Sequence, residues 1–175
     1  MEYSYIFHHT YIMKSLKNIF ILVLIVSAGL NIAYAQTAKK DKKAAKEASI
    51  KSDIVARHYT FIANYVLPLR GGARQLASEY DLRVTKDSVI SFLPYFGEAY
   101  FDVPYNPTEG GIKFTSTKFS YETREKKKGG WEITIKPTDV KNTDRLVLNI
   151  STDGYASLSV NSFNRDFITF DGYLK

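Results

Sequence analysis

The sequence predicts a mainly antiparallel β fold of the α+β class: a single curled sheet or small barrel with an N-terminal helix. Three observations carry this. Short segments of period-two alternation recur from residue 58 to the end, broken by turn residues and by no second helical stretch. One segment of helix formers, rich in Ala and Lys, precedes them. Strands at such short spacing favour antiparallel pairing, because parallel neighbours need a long crossover.

The chain opens on a targeting pattern. Met13 is followed by Lys14 and Lys17, by the apolar run 19–26, and by Ala33-Tyr34-Ala35 before Gln36. A basic start, a short apolar run and small residues at a cleavage point predict a signal peptide, 1–35, cut after Ala35. The run is too short for a comfortable membrane span. Residues 1–12 read as an over-extended start, which takes His8 and His9 out of the mature chain. The remaining 140 residues suit one domain. The chain has no cysteine, so in an oxidising compartment the core must hold without disulfides. A lipid anchor needs a cysteine beside the cleavage point. The expectation is therefore an exported protein, periplasmic or extracellular, not lipid-anchored, with no transmembrane span after processing.

The net charge of +6 misleads about partners. Six lysines (Lys39, Lys40, Lys42, Lys43, Lys46, Lys51) crowd a short segment; 36–51 reads as a lysine-rich tether and helix start. From Ser52 onward 16 Lys and Arg face 15 Asp and Glu, a net of +1. The single mainly-β domain, 52–175, is nearly neutral, and nucleic acid is not an expected partner.

The elements follow in order. Residues 37–57 form a helix, frayed at its start, with Ile50, Ile54 and Val55 as its apolar stripe. Segment 58–69 turns strand-like with Tyr59, Phe61, Tyr65 and Val66; Pro68 ends it and Gly71-Gly72 makes a turn. Strands 81–85 and 88–93 meet at Lys86-Asp87. Residues 89–93 are apolar on both parities, which predicts cover on both faces. Pro94 stops the ladder, and an aromatic, turn-rich loop runs over 94–111. A strand at 112–116 follows Gly110-Gly111. Segments 119–123 and 131–136 form a hairpin with a charged tip. Segments 145–151, 155–161 and 167–174 place Leu146, Leu148, Ile150, Ala156, Leu158, Val160, Ile168 and Phe170 inward. Roughly seven to nine strands result.

These segments also carry a resemblance. F-I-A-N-Y-V-L-P-L-R-G-G (61–72), Y-D-L-R-V (80–84), S-F-L-P-Y-F-G-E-A (91–99), G-G-I-K-F (110–114), G-Y-A-S-L-S-V (154–160) and I-T-F-D-G (168–172) follow in this order. Together they resemble the exported bacterial family catalogued as domain of unknown function number 4251. The likeness spans nearly all of the chain after the signal peptide. It implies an envelope location. Many relatives resemble lipoproteins, and this chain departs from them in lacking the cysteine. The resemblance brings no reaction, ligand or catalytic residue.

Candidate chemistry is sparse. His58 is the one histidine left after processing, and a lone histidine at a helix-to-strand junction suits a cap better than catalysis. A zinc site needs three or four ligands, so neither a metal nor another cofactor is expected. Gly71-Gly72 between Arg70 and Arg74 reads as a plain turn. Tyr95, Phe96, Tyr100, Phe101 and Tyr105 fall within eleven positions of the loop. Such rings either plug a small sheet domain or offer a stacking platform. The expected function is non-enzymatic: binding of a glycan, peptide or envelope protein through the aromatic loop 94–111. The alternative is a carboxylate-dependent hydrolase of envelope glycan using Glu98, Asp102 and Glu109, since glycoside cleavage employs paired carboxylates.

Overall fold

The computed structural model describes residues 39–101 and 110–175. Residues 1–35, expected to be a signal peptide, and Asp102, Tyr105 and Glu109 lie outside the described residues. The chain divides into two units, Met1–Ala44 and Ala45–Lys175. Of the first, only the start of helix α1 (39–56) is described. No helix among the described residues is long and apolar enough to cross a membrane.

Among its described residues the second unit holds nine strands: β1 Tyr59–Pro68, β2 Arg74–Val84, β3 Val89–Leu93, β4 Ile112–Ser116, β5 Phe119–Glu125, β6 Trp131–Pro137, β7 Thr143–Ile150, β8 Tyr155–Ser162 and β9 Ile168–Leu174. All pair antiparallel, in the order β4-β3-β2-β1-β9-β8-β7-β6-β5. Two meanders thus join where the first strand meets the last.

The edge strands β4 and β5 are consecutive in sequence, with only Thr117 and Lys118 between them. Laid flat, nine strands would hold those edges about 38 Å apart. The chain from Ser116 to Phe119 reaches about 11 Å at most. The sheet must therefore curl until its edges meet, which makes it a nearly closed barrel. This resolves the choice between curled sheet and barrel that the sequence leaves open.

Alternation fills the barrel. Phe61, Leu82, Val89, Ile133, Leu148, Leu158 and Phe170 are fully buried, and Trp131 is 4% exposed. Each buried aliphatic of this kind contributes roughly 1.5–3 kcal/mol, which is how a cysteine-free chain holds its fold. Ser91 points into the same core and satisfies itself on the Ile112 carbonyl at 2.7 Å. Helix α1 buries Ile50 and Ile54, while Val55, expected on the same stripe, is exposed because it faces away. The helix ends in a Schellman motif: Arg57 N–H donates to Ile54 O and His58 N–H to Asp53 O. Arg57 takes the left-handed conformation (φ 52°) usually left to glycine. Its guanidinium lies 4.6 Å from the centre of the Tyr121 ring. His58 itself is exposed at this cap.

Two further expectations are corrected. Strand β3 is covered on one face only: Val89, Ser91 and Leu93 are buried, while Phe92 stands outside and stacks on Tyr80 with ring centres 5.7 Å apart. Strand β2 begins at Arg74, well before the expected 81. Between the pairs Ala63↔Tyr80 and Tyr65↔Gln75, β1 advances two residues and β2 five. Residues 76–79 are thus extra on the β2 side of the ladder, and bulges bend the strand that carries them.

Candidate functional site

The aromatic loop divides in two. Tyr95 and Phe96 pack against the core, whereas Tyr100 and Phe101 are 61% and 58% exposed. The seat of the loop is the β8–β9 connection. Tyr100 N–H donates to Asn164 O at 2.8 Å, Asp166 N–H to Glu98 O at 3.1 Å, and Asn164 Nδ2 to Phe101 O at 3.0 Å. The Tyr95 hydroxyl donates to Glu98 O at 2.8 Å and contacts Asp166 O at 3.2 Å. Burial, with the nearby Asp166 charge, pushes that phenol up to about 12. The Tyr100 hydroxyl donates to the Asp166 carboxylate, and this bond raises its pKa. Asn164, Arg165 and Asp166 are buried, while Phe163 and Phe167 on either side are exposed.

Of the loop carboxylates, Glu98 alone lies among the described residues. Glu98 is held by Arg70 at 2.7 Å on the surface, and Asp102 and Glu109 lie outside the described residues. Arg74 turns to the Phe96 ring, 5.4 Å from its centre. The two arginines beside Gly71-Gly72 are thus engaged with the loop.

A second site is formed on the outer face of the sheet. Asn149 pairs with Ser157, Ser157 with Asp171, Asp171 with Tyr65, and Tyr65 with Gln75. Registered partners on neighbouring strands project from one face, so these five side chains form a row across β7, β8, β9, β1 and β2. They line a groove of about 580 Å³, with Asn64, Tyr155 and the β5–β6 tip at Lys126 and Gly129. Tyr65 is 47% exposed and Tyr155 67%. Asp171 is the one carboxylate among the described lining residues.

Local structure explains why the sheet bends here. A Cβ on Gly172 would stand 1.8 Å from Ile62 O, so only glycine lets β9 approach β1 this closely. The β1 register shift falls at the same place, between Ala63 and Tyr65. Inward Leu148, Leu158 and Phe170 leave their neighbours Asn149, Ser157 and Asp171 on the outward parity, but alternation does not align them. The signal that aligns them is long-range register, which alternation within one strand does not contain.

Comparison with solved structures finds a crystal structure of a DUF4251 family protein from Bacteroides eggerthii DSM 20697. It is 19% identical, with a TM-score of 0.55, over 75% of this chain and 90% of that one. At this identity the likeness speaks for the fold. Comparison with the curated proteins finds no match. Residues 41–174 match the family described as Domain of unknown function (DUF4251), which takes in α1 from its first turns and every strand of the barrel; the chain belongs to that family.

Proposed function

We propose that the protein is an exported, non-enzymatic binding module of the cell envelope, and that the outer groove takes a neutral glycan. The groove at Asn149, Ser157, Asp171, Tyr65 and Tyr155 carries this reading. A sugar ring presents hydroxyls at its rim and C–H groups on its faces. Amide and hydroxyl side chains answer the first, and exposed tyrosine rings answer the second. A volume of about 580 Å³ falls in the usual range of ligand sites. Export is supported by the basic start, apolar run and Ala33-Tyr34-Ala35 of the sequence.

A hydrolase acting by paired carboxylates needs two acids on one substrate. Among the described residues the groove offers Asp171 alone. A second binding reading keeps the contact on the 94–111 loop, favoured by the exposure of Tyr100 and Phe101.

Retention on immobilised envelope polysaccharide separates these readings. The groove reading expects Tyr155→Ala and Asp171→Asn to lose retention while Phe101→Ala keeps it. Loss with Phe101→Ala alone moves the contact to the loop. No retention by the wild type overturns the glycan reading. Release of reducing sugar by the wild type, lost in Asp171→Asn, would make the protein a hydrolase.

A further inference from the structure

A second cavity, of about 250 Å³, lies away from the groove and is lined by Arg165, Lys113, Lys141, Asn142, Thr143 and Ser162 among others. Arg165 is only 8% exposed. Its Nη1 donates to Gly110 O at 2.8 Å and its Nε to Asn164 Oδ1 at a long 3.4 Å. Tyr95 stacks on the guanidinium, 4.7 Å from ring centre to Cζ. Among the described residues no carboxylate lies within 4 Å of Arg165. Its Nη2 makes no hydrogen bond there, yet it is not sealed among the buried unsatisfied atoms.

Burying a guanidinium without a counter-charge is costly. Carbonyl, amide and ring contacts hold this one in place but do not neutralise it. The described lining of the cavity holds Arg165, two lysines that have interactions of their own, and no carboxylate. Asn142, Thr143 and Ser162 add neutral hydrogen-bonding groups beside them. Nη2 and the second proton of Nη1 together can serve two oxygens of one anion.

We propose that this cavity is an oxyanion site, with Arg165 as its anchor, for a phosphate or carboxylate group. The site stands apart from the glycan groove, so either proposal can fail alone. The probes are inorganic phosphate and acetate, each set against sodium chloride at equal ionic strength, on the mature chain followed by thermal melting. A saturable rise in Tm is expected. Response to phosphate alone identifies a phosphate group, and response to acetate a carboxylate. Arg165→Lys keeps the charge and loses the fork, and should weaken the response at least about ten-fold. An Arg165→Lys protein that responds like the wild type overturns the proposal, as do anions that act no differently from chloride. Should that variant not fold, the Arg165 Nε–H resonance of the wild type is followed by NMR. A saturable shift with phosphate or acetate supports the site, and a resonance that does not move overturns it.

Discussion

Asp139, in the connection after β6, accepts hydrogen bonds from Ser116 at the end of β4 and from the backbone N–H groups of Thr117 at 2.9 Å and Lys118 at 3.1 Å. One carboxylate thus fixes the corner where the two edges of the sheet meet. Thr138 adds to it from the same connection, its N–H reaching Lys118 O at 2.8 Å. No ladder hydrogen bonds join β4 to β5, so the corner is held by side chain and turn.

The first prediction follows from this clamp. Donors converging on Asp139, Ser116 first, hold its pKa down at about 2 against an ordinary 3.8. A depressed carboxylate contributes stability that is present above its unfolded value and is lost as pH falls through its folded value. Asp139 therefore adds to acid sensitivity between about pH 4 and pH 2. Melting curves of wild type and Asp139→Asn across that window should converge as the pH falls. Curves that run parallel would mean the clamp has no energetic weight.

Gly172 gives the second. β9 meets β1 so closely there that any Cβ falls on Ile62 O, which is backbone and cannot turn aside. Gly172→Ala must push the two strands apart at the one joint between the meanders. A loss of about 1–3 kcal/mol or more is expected in chemical denaturation. A variant as stable as the wild type would show that the joint yields.

Trp131 gives the third. The ring is 4% exposed, at the start of a strand whose parity continues through Ile133 and Ile135. Trp131→Ala should cost about 3–5 kcal/mol. A loss below about 1 kcal/mol would place the ring outside the core, since surface changes rarely exceed half of that.

Such parity was legible because alternation is a local property. Each strand from β5 to β9 could be oriented from its own residues, and β7 and β8 needed only their ends adjusted. β2 was not legible before Asp81. Residues 74–79 are mostly exposed and polar, and they hold strand conformation through pairing of Arg74 and Gln75 with β1. The groove was hidden for the same reason. Asn149 and Asp171 are separated by 22 positions and are brought into one row through Ser157, by two registers that only the closed sheet sets. In the loop, composition marked the rings without saying which faced inward. Tyr95 is tied down by the carbonyls of Glu98 and Asp166, one of them 71 residues away.

That division of the loop supports the last prediction. Tyr95 packs against the core and spends its hydroxyl on two backbone carbonyls, so Tyr95→Phe removes a bond without opening a cavity. The expected cost is about 0.5–1.5 kcal/mol, and Tyr95→Ala should cost more because the ring is lost as well. Phe101 differs: its ring is 58% exposed, and only its carbonyl serves the fold, accepting from Asn164. Phe101→Ala keeps that carbonyl and should change stability by no more than about 0.5 kcal/mol. Measured by chemical denaturation, the two positions should therefore separate although they lie six residues apart. Equal losses at both would make the whole loop a packed plug and remove it as a binding surface. A neutral Phe101→Ala leaves that ring free for a partner and leaves Tyr95 as part of the seat that presents it.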